Sequence, residues 1–271
     1  MKITKLTPII RRLTAGNSNM FTGPGTNSYL LGENEVTVID PGPPMVNHIE
    51  DLISLTGKSL KQILITHTHP DHSPGASILK EMTGVPLYGL TTESSRNRDE
   101  QIDIDKILNH GDKIKTSEYS IEVIHTPGHA SNHLCYFLID ENTLFTGDHI
   151  MDGSTVVIAP PDGNMSEYLK SLELLKEYPI KTIAPGHGDL IHDPIAIVDA
   201  TIEHRLKREQ KIIEKLEKLG PASIDELVND VYDDVASFLH PVAKWSLEAH
   251  LIKLMENKVV SKNKQDYVLI E

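Results

Sequence analysis

Residues 67–72 read His-Thr-His-Pro-Asp-His, three imidazoles and a carboxylate within six positions. They follow the apolar stretch Ile63-Leu64-Ile65, so they sit where a strand runs out into a tight turn. Four metal-ligating side chains packed this closely are costly for a fold to place unless a metal uses them. Three further segments end apolar stretches in the same way: His125-Thr126-Pro127-Gly128-His129, Thr146-Gly147-Asp148-His149 and Pro185-Gly186-His187-Gly188. Each carries Gly or Pro beside its His or Asp, as expected where a sharp turn lifts a side chain to the end of a sheet.

Imidazole and carboxylate donors without thiolate suit a catalytic Zn²⁺, with Fe²⁺ or Mn²⁺ as alternatives. Taking one His or Asp from each further segment, seven such groups are too many for one tetrahedral ion and the right number for two ions sharing a carboxylate. A pair of ions roughly 3.5–4 Å apart would hold a bridging hydroxide as nucleophile and polarise a substrate oxygen. The chemistry expected is hydrolysis, at a carbonyl or at phosphorus.

The elements that must position these residues are legible from pattern. Strands are expected over 27–32, 35–40, 61–66, 86–88, 112–115, 120–125, 132–139, 143–146 and 182–184. Helices are expected over 45–56, 75–82, 169–175 and 195–219. Residues 91–110 read as a polar surface loop with a helical turn. The order is neither strict βαβ alternation nor all-β; it suits two mixed sheets packed face to face with helices outside, an α+β fold of αββα sandwich type. Gly220-Pro221 closes the long helix and marks a boundary between units 1–219 and 220–271. Ser223-Ile224-Asp225-Glu226 is a capping box. Helices near 223–232 and 242–256 and two small strands near 259–260 and 267–270 make the second unit resemble a winged helix, a fold that serves nucleic-acid binding, dimerisation or packing.

Composition bounds the function. Of 271 residues, 39% are hydrophobic and 24% charged, an ordinary globular balance, and no apolar run reaches transmembrane length. The N-terminus lacks the apolar segment of a signal peptide. The single cysteine, Cys135, lies in an apolar run and reads as a buried small hydrophobe. A cytoplasmic location is the expectation. The formal charge is −13, and residues 201–271, with 11 basic against 13 acidic side chains, hold little of it. The acidic remainder repels polyanions at long range, against broad nucleic-acid affinity. The basic residues Arg205, Lys207, Arg208 and Lys211 share a helix with several Glu and read as a solvated, salt-bridged face rather than an RNA track.

Asp40, the His-x-His-x-Asp-His run at 67–72, His129, Asp148 and His187 together resemble the metallo-β-lactamase superfamily, across residues 27–188. The resemblance implies a first metal on His67, His69 and His129 and a second on Asp71, His72 and His187, with Asp148 bridging. It implies that Asp40 orients ligands rather than binding metal. Asn27 and His149 are further supporting candidates, packing being the stronger reading for His149 than proton donation. Asp71 and Asp148 are the expected catalytic carboxylates, the proton passing to Asp71 or to a metal-bound water. His125 is not expected to bind metal. His110, His133, His192, His204, His240 and His250 have no ligand company and read as structural or surface residues.

Within the superfamily, the common zinc β-lactamases have Arg where His72 stands and Cys where Asp148 stands, so antibiotic hydrolysis is not expected. The glyoxalase II group shares the ligands but ends in a different, helical domain. The chain is most similar to the β-lactamase-like protein 2 group, through Gly25-Thr26-Asn27-Ser28-Tyr29-Leu30, the segment 125–129, Gly147-Asp148-His149-Ile150-Met151, the segments 159–165 and 168–172, Leu239-His240-Pro241 and Ala249-His250-Leu251. That resemblance implies a dinuclear zinc phosphodiesterase or endoribonuclease acting on single-stranded RNA. The alternative is a thioester, lactone or ester hydrolase of glyoxalase II type. A third reading is non-enzymatic, a winged-helix regulator whose metal domain only senses ligand. No membrane partner is expected; a homodimer stays open.

Overall fold

The computed structural model describes residues 3–91 and 102–270. Over these residues two sheets stack face to face. The first runs in chain order β1 (Ile3–Lys5), β2 (Ile10–Thr14), β3 (Asn27–Leu31), β4 (Val36–Ile39), β5 (Leu60–Leu64), β6 (Leu87–Gly89) and β7 (Lys106–Ile107). The second is ordered β12-β11-β10-β9-β8, from β8 (Lys113–Lys115), β9 (Ser120–His125), β10 (Leu134–Leu138), β11 (Thr143–Gly147) and β12 (Thr182–Pro185). Four helices flank them: α1 (Val46–Thr56), α2 (Pro74–Thr83), α3 (Met165–Leu175) and α4 (Pro194–Leu219).

Alternation along the strands builds the layers. In β3, Tyr29 and Leu31 face the space between the sheets, while Leu30 faces outward to Ile49 and Leu52 of α1 and Leu79 of α2. In β10, Leu134, Tyr136 and Leu138 join that central layer, and Cys135 and Phe137 turn to Tyr168 and Leu172 of α3 and Val198 of α4. Strands buried on both faces read as continuous apolar runs, and so they do here. Cys135 is fully buried, which pushes its thiol up to about 12.

The αββα sandwich is as expected. Two strands lie outside the sequence-based expectation: β1 and β2 extend the first sheet beyond β3, with Ile10 opposite Leu31 and Leu13 opposite Ser28. The alternation of β2 is masked by Arg11 and Arg12, which satisfy carbonyls of Gly32 and Gly188 instead of facing bulk water, and β1 is only three residues long. The expected loop over 91–110 is corrected in part. Lys106 and Ile107 pair with Tyr88 and Gly89 as an edge strand, and the remainder of that reading at 92–101 lies outside the described residues.

Beyond α4, α5 (Ile224–Val231) and α6 (His240–Glu256) pack with a small sheet of β13 (Ala222–Ser223), β15 (Asp266–Leu269) and β14 (Val260–Asn263). The expected capping box is present: Ser223 Oγ accepts from Glu226 N, and Glu226 Oε2 accepts from Ser223 N at 2.8 Å. The core of this winged helix includes Ile212 and Leu216 from the last turns of α4. Arg205 and Arg208 depart from the solvated face expected of them. Both are buried; Arg208 pairs bidentately with Asp234, and Arg205 lies over the Tyr168 ring. Lys207 and Lys211 do pair with carboxylates, Glu203 and Asp233.

Candidate metal centre

Four loops leave the strand ends on one rim of the sandwich and bring the sequence-selected residues into two adjacent groups: His67, His69 and His129, and Asp71, His72, Asp148 and His187. Within each group the ligating atoms lie within 4.8 Å of one another. The turns need glycine. Gly147, at the end of β11, sits at φ 45°, and a Cβ there would fall 2.5 Å from Thr66 Oγ1. A Cβ on Gly186 would fall 2.7 Å from His72 Cε1 and 2.9 Å from Asp148 Oδ1.

Hydrogen bonds at the back of each imidazole set which nitrogen faces inward. His129 Nδ1 lies 2.7 Å from the Val157 carbonyl, an acceptor only, so it carries the proton and leaves Nε2 bare. Thr66 Oγ1 donates to Asp40 Oδ2 and accepts from His67 Nδ1 at 3.0 Å, which likewise bares His67 Nε2. Both bare nitrogens lie 2.9 Å from His69 Nδ1. A proton on His69 satisfies one of these lone pairs well; a cation satisfies all three. Burial first, then the neighbouring imidazoles, hold His67 well below its ordinary value, and burial and His129 push His69 down to about 3. His67 and His69 are therefore held as neutral bases, and their nitrogens and His129 Nε2 converge on one point, the arrangement a divalent ion requires.

The second group is ionic. His72 Nδ1 donates to Asp40 Oδ2 at 2.9 Å, and His187 Nδ1 faces the Gly25 carbonyl at 3.2 Å. Their Nε2 atoms face Asp148 Oδ1 at 3.2 and 3.3 Å, a buried oxygen with no well-formed hydrogen bond. Asp71 Oδ2 closes the group at 3.2 Å from His187 Nε2. Burial opposes charge on His72 and His187, yet the carboxylates outweigh it. Asp148, Asp71 and Asp40 raise His72 well above its usual range, and Asp148 and Asp71 push His187 up to about 9. The other oxygen of Asp148, Oδ2, turns to the first group, 3.7 Å from His129 Nε2. One carboxylate thus offers an oxygen to each group. The donor set, its inward lone pairs and the orphaned Asp148 oxygen fit a pair of divalent ions.

Asp40 touches neither group's inner face. Its Oδ1 accepts from Thr66 N at 2.7 Å and its Oδ2 from Thr66 Oγ1 and His72 Nδ1. It occupies φ 49°, unusual for a non-glycine residue, and is held there by Ser28 Oγ on its carbonyl at 2.6 Å. Asn27 spans the His187 loop, donating to the Pro185 and Gly188 carbonyls. His149 is fully buried against Tyr168, and burial pushes it down to about 3, so it stays a neutral imidazole rather than an imidazolium acid. His125 binds the Ser131 carbonyl, away from both groups.

His133 is structural, one of the two roles read for it, but it does stand among the ligand candidates. Expected to lack ligand company, it is buried with its ring 5.1 Å from that of His67, and its Nε2 accepts from Asp148 N at 3.2 Å. The signal was cross-strand: Thr126, inside a singled-out segment, pairs with His133 through backbone and side chain. Residue types alone do not reveal that pairing.

Residues 21–187 match the metallo-beta-lactamase superfamily profile, over half of the chain. The chain belongs to the metallo-beta-lactamase superfamily. Residues 223–267 match the beta-lactamase associated winged helix domain, so the superfamily fold and this C-terminal module are joined in one chain. The chain is 31% identical to the beta-lactamase-like protein 2 homolog of Caenorhabditis elegans, covering 95% of this chain and 88% of that one. It is 28% identical to an atrochrysone carboxyl ACP thioesterase of Aspergillus chevalieri, covering 93% and 82%. In fold it resembles a metallo-beta-lactamase family protein of Thermus thermophilus, with a TM-score of 0.83 over 98% of this chain and 100% of that one, at 21% identity. As a superfamily member the protein is a hydrolase. No helix among the described residues is long and apolar enough to cross a membrane.

Proposed function

We propose that the protein is a dinuclear, zinc-dependent phosphodiesterase acting as an endoribonuclease on single-stranded RNA. The observation that carries the dinuclear reading is Asp148, whose two oxygens face two different imidazole groups. His67, His69 and His129 would hold one ion and Asp71, His72 and His187 the other, with Asp148 shared; Fe²⁺ or Mn²⁺ suits the same donors. Two such ions supply an activated water and charge stabilisation at the atom attacked, the pattern common to many nucleases.

The protein's own residues do the rest. Asp40 fixes His72 directly and His67 through Thr66, and His133 fixes the Asp148 backbone. Asp71 has 29% of its side chain exposed against 11% for Asp148, so it is the carboxylate placed to accept a proton at the open rim. The RNA reading is supported by likeness to the β-lactamase-like protein 2 group along the whole chain, winged helix included. The division into units 1–219 and 220–271, and a cytoplasmic location, belong to the same proposal.

A thioester substrate is the second reading. Favouring it are the net charge of −13, the burial of Arg205 and Arg208 away from any polyanion, and the thioesterase name of a relative matching 93% of this chain. Zinc-loaded protein and an Asp148→Ala variant, each incubated at low salt with single-stranded RNA, bis(p-nitrophenyl) phosphate and an acyl-thioester, separate the two. RNA and phosphodiester cleavage confined to the unsubstituted protein supports the nuclease. Intact RNA beside thioester turnover moves the function to the second reading.

A further inference from the structure

Residues 156–158 run between the metal centre and the C-terminal module without belonging to a helix or a strand. Backbone outside secondary structure is fixed only by what binds its polar groups. On one side the Val157 carbonyl accepts from His129 Nδ1 at 2.7 Å. On the other, Arg205 of α4 donates to the Val156 carbonyl, and Ile158 N donates to Ser246 Oγ of α6 at 3.2 Å. Arg205 and Ser246 are buried, 3% and 6% exposed, although one is charged and the other polar. Ala249, on α6 three residues after Ser246, packs in the same apolar cluster as Ile158 and Met165. The winged helix is thereby wedged behind the segment that orients one imidazole of the centre.

We propose that Ser246 and Arg205 are positioning residues for His129, so that the winged helix is a structural part of the metal centre. The inference rests on reading His129 as a metal ligand. Ser246 and Arg205 grip the residues on either side of Val157 and hold its carbonyl at the distance and angle that aim His129 Nε2 inward. Releasing the grip lets the imidazole rotate, and the cost falls on the His67, His69 and His129 group alone. The imidazoles of His72 and His187 are braced by Asp40 and Gly25 instead.

Ser246→Thr and Ser246→Val test this, being nearly equal in size and differing in the hydroxyl. Zn²⁺ affinities of the full chain, read by chelator competition, are compared with those of His129→Ala, with thermal melting of each metal-free protein alongside. The expected result is one of two affinities lowered about 10-fold in Ser246→Val, the scale typical of residues that support a ligand. It is the same affinity that His129→Ala abolishes, with the other unchanged and Ser246→Thr close to the unsubstituted protein. Should melting show Ser246→Val unfolded, the smaller Ser246→Ala takes its place in the same comparison. Equal affinities in the variants with and without the hydroxyl overturn the proposal, as does a parallel fall in both affinities. If His129→Ala leaves both affinities intact, the ligand reading itself fails.

Discussion

Asp40 shows how much a single side chain off the reacting surface can decide. Three hydrogen bonds converge on its two oxygens, from Thr66 N, Thr66 Oγ1 and His72 Nδ1. Asparagine tolerates a positive φ nearly as well, so Asp40→Asn isolates the loss of an acceptor. Whichever way the amide turns, an N–H faces another donor. Zinc affinity and turnover are each expected to fall by about 10–100-fold, measured by chelator competition and initial rates. Asp148→Ala should differ from His129→Ala in kind: metal analysis is expected to show both equivalents weakened in the first and one in the second. Equal, single-equivalent losses in both would remove the shared-carboxylate reading.

At the scale of elements, the site is a product of strand ends and the turns that follow them. Gly128 sits at φ 139°, where a Cβ would lie 2.3 Å from Tyr168 Cα, so the His129 loop and α3 are in backbone contact. Gly128→Ala is expected to destabilise by about 1–3 kcal/mol, as overpacking does, and to weaken metal binding with it; urea unfolding checks the first. The capping box stands far from the centre, so Ser223→Ala should cost about 1 kcal/mol in the same assay while leaving metal stoichiometry unchanged. The buried strands were legible because they are continuous apolar runs ending in Gly, Pro or ligand residues. β2 was not, because Arg11 and Arg12 direct their charge to carbonyls of other elements and a pattern-based reading counts them as loop, and β1, three residues long, is too short to show a period.

The whole molecule binds its two parts more closely than a boundary at Gly220 implies. The winged-helix core takes Ile212 and Leu216 from α4, and Ala249 of α6 enters the core behind α3. Truncation at residue 219 should therefore expose apolar surface on both faces of the cut. The expected outcome is a lower soluble yield and reduced zinc content per chain; a shortened protein with full metal content and unchanged melting would show that the sandwich stands alone. The two buried arginines of α4 fit the same picture: Arg208 pairs with Asp234 beyond the boundary, and Arg205 holds the Val156 carbonyl.

The residues able to bind metal were determined by the sequence itself, because ligating chemistry is a property of residue type and the strand–turn punctuation around each is local. The αββα layering was readable for the same reason: alternating and continuous apolar runs are written along the chain. Only the tertiary structure decided which imidazole nitrogen faces inward, that Asp148 presents one oxygen to each group, and that His133, Arg205 and Ser246 stand behind the centre. Most of these relations join residues far apart in the chain, 15 positions for His133 and Asp148, 88 for Ile158 and Ser246 and 162 for Gly25 and His187, and they come into being when the sheets stack and the last helix closes against them.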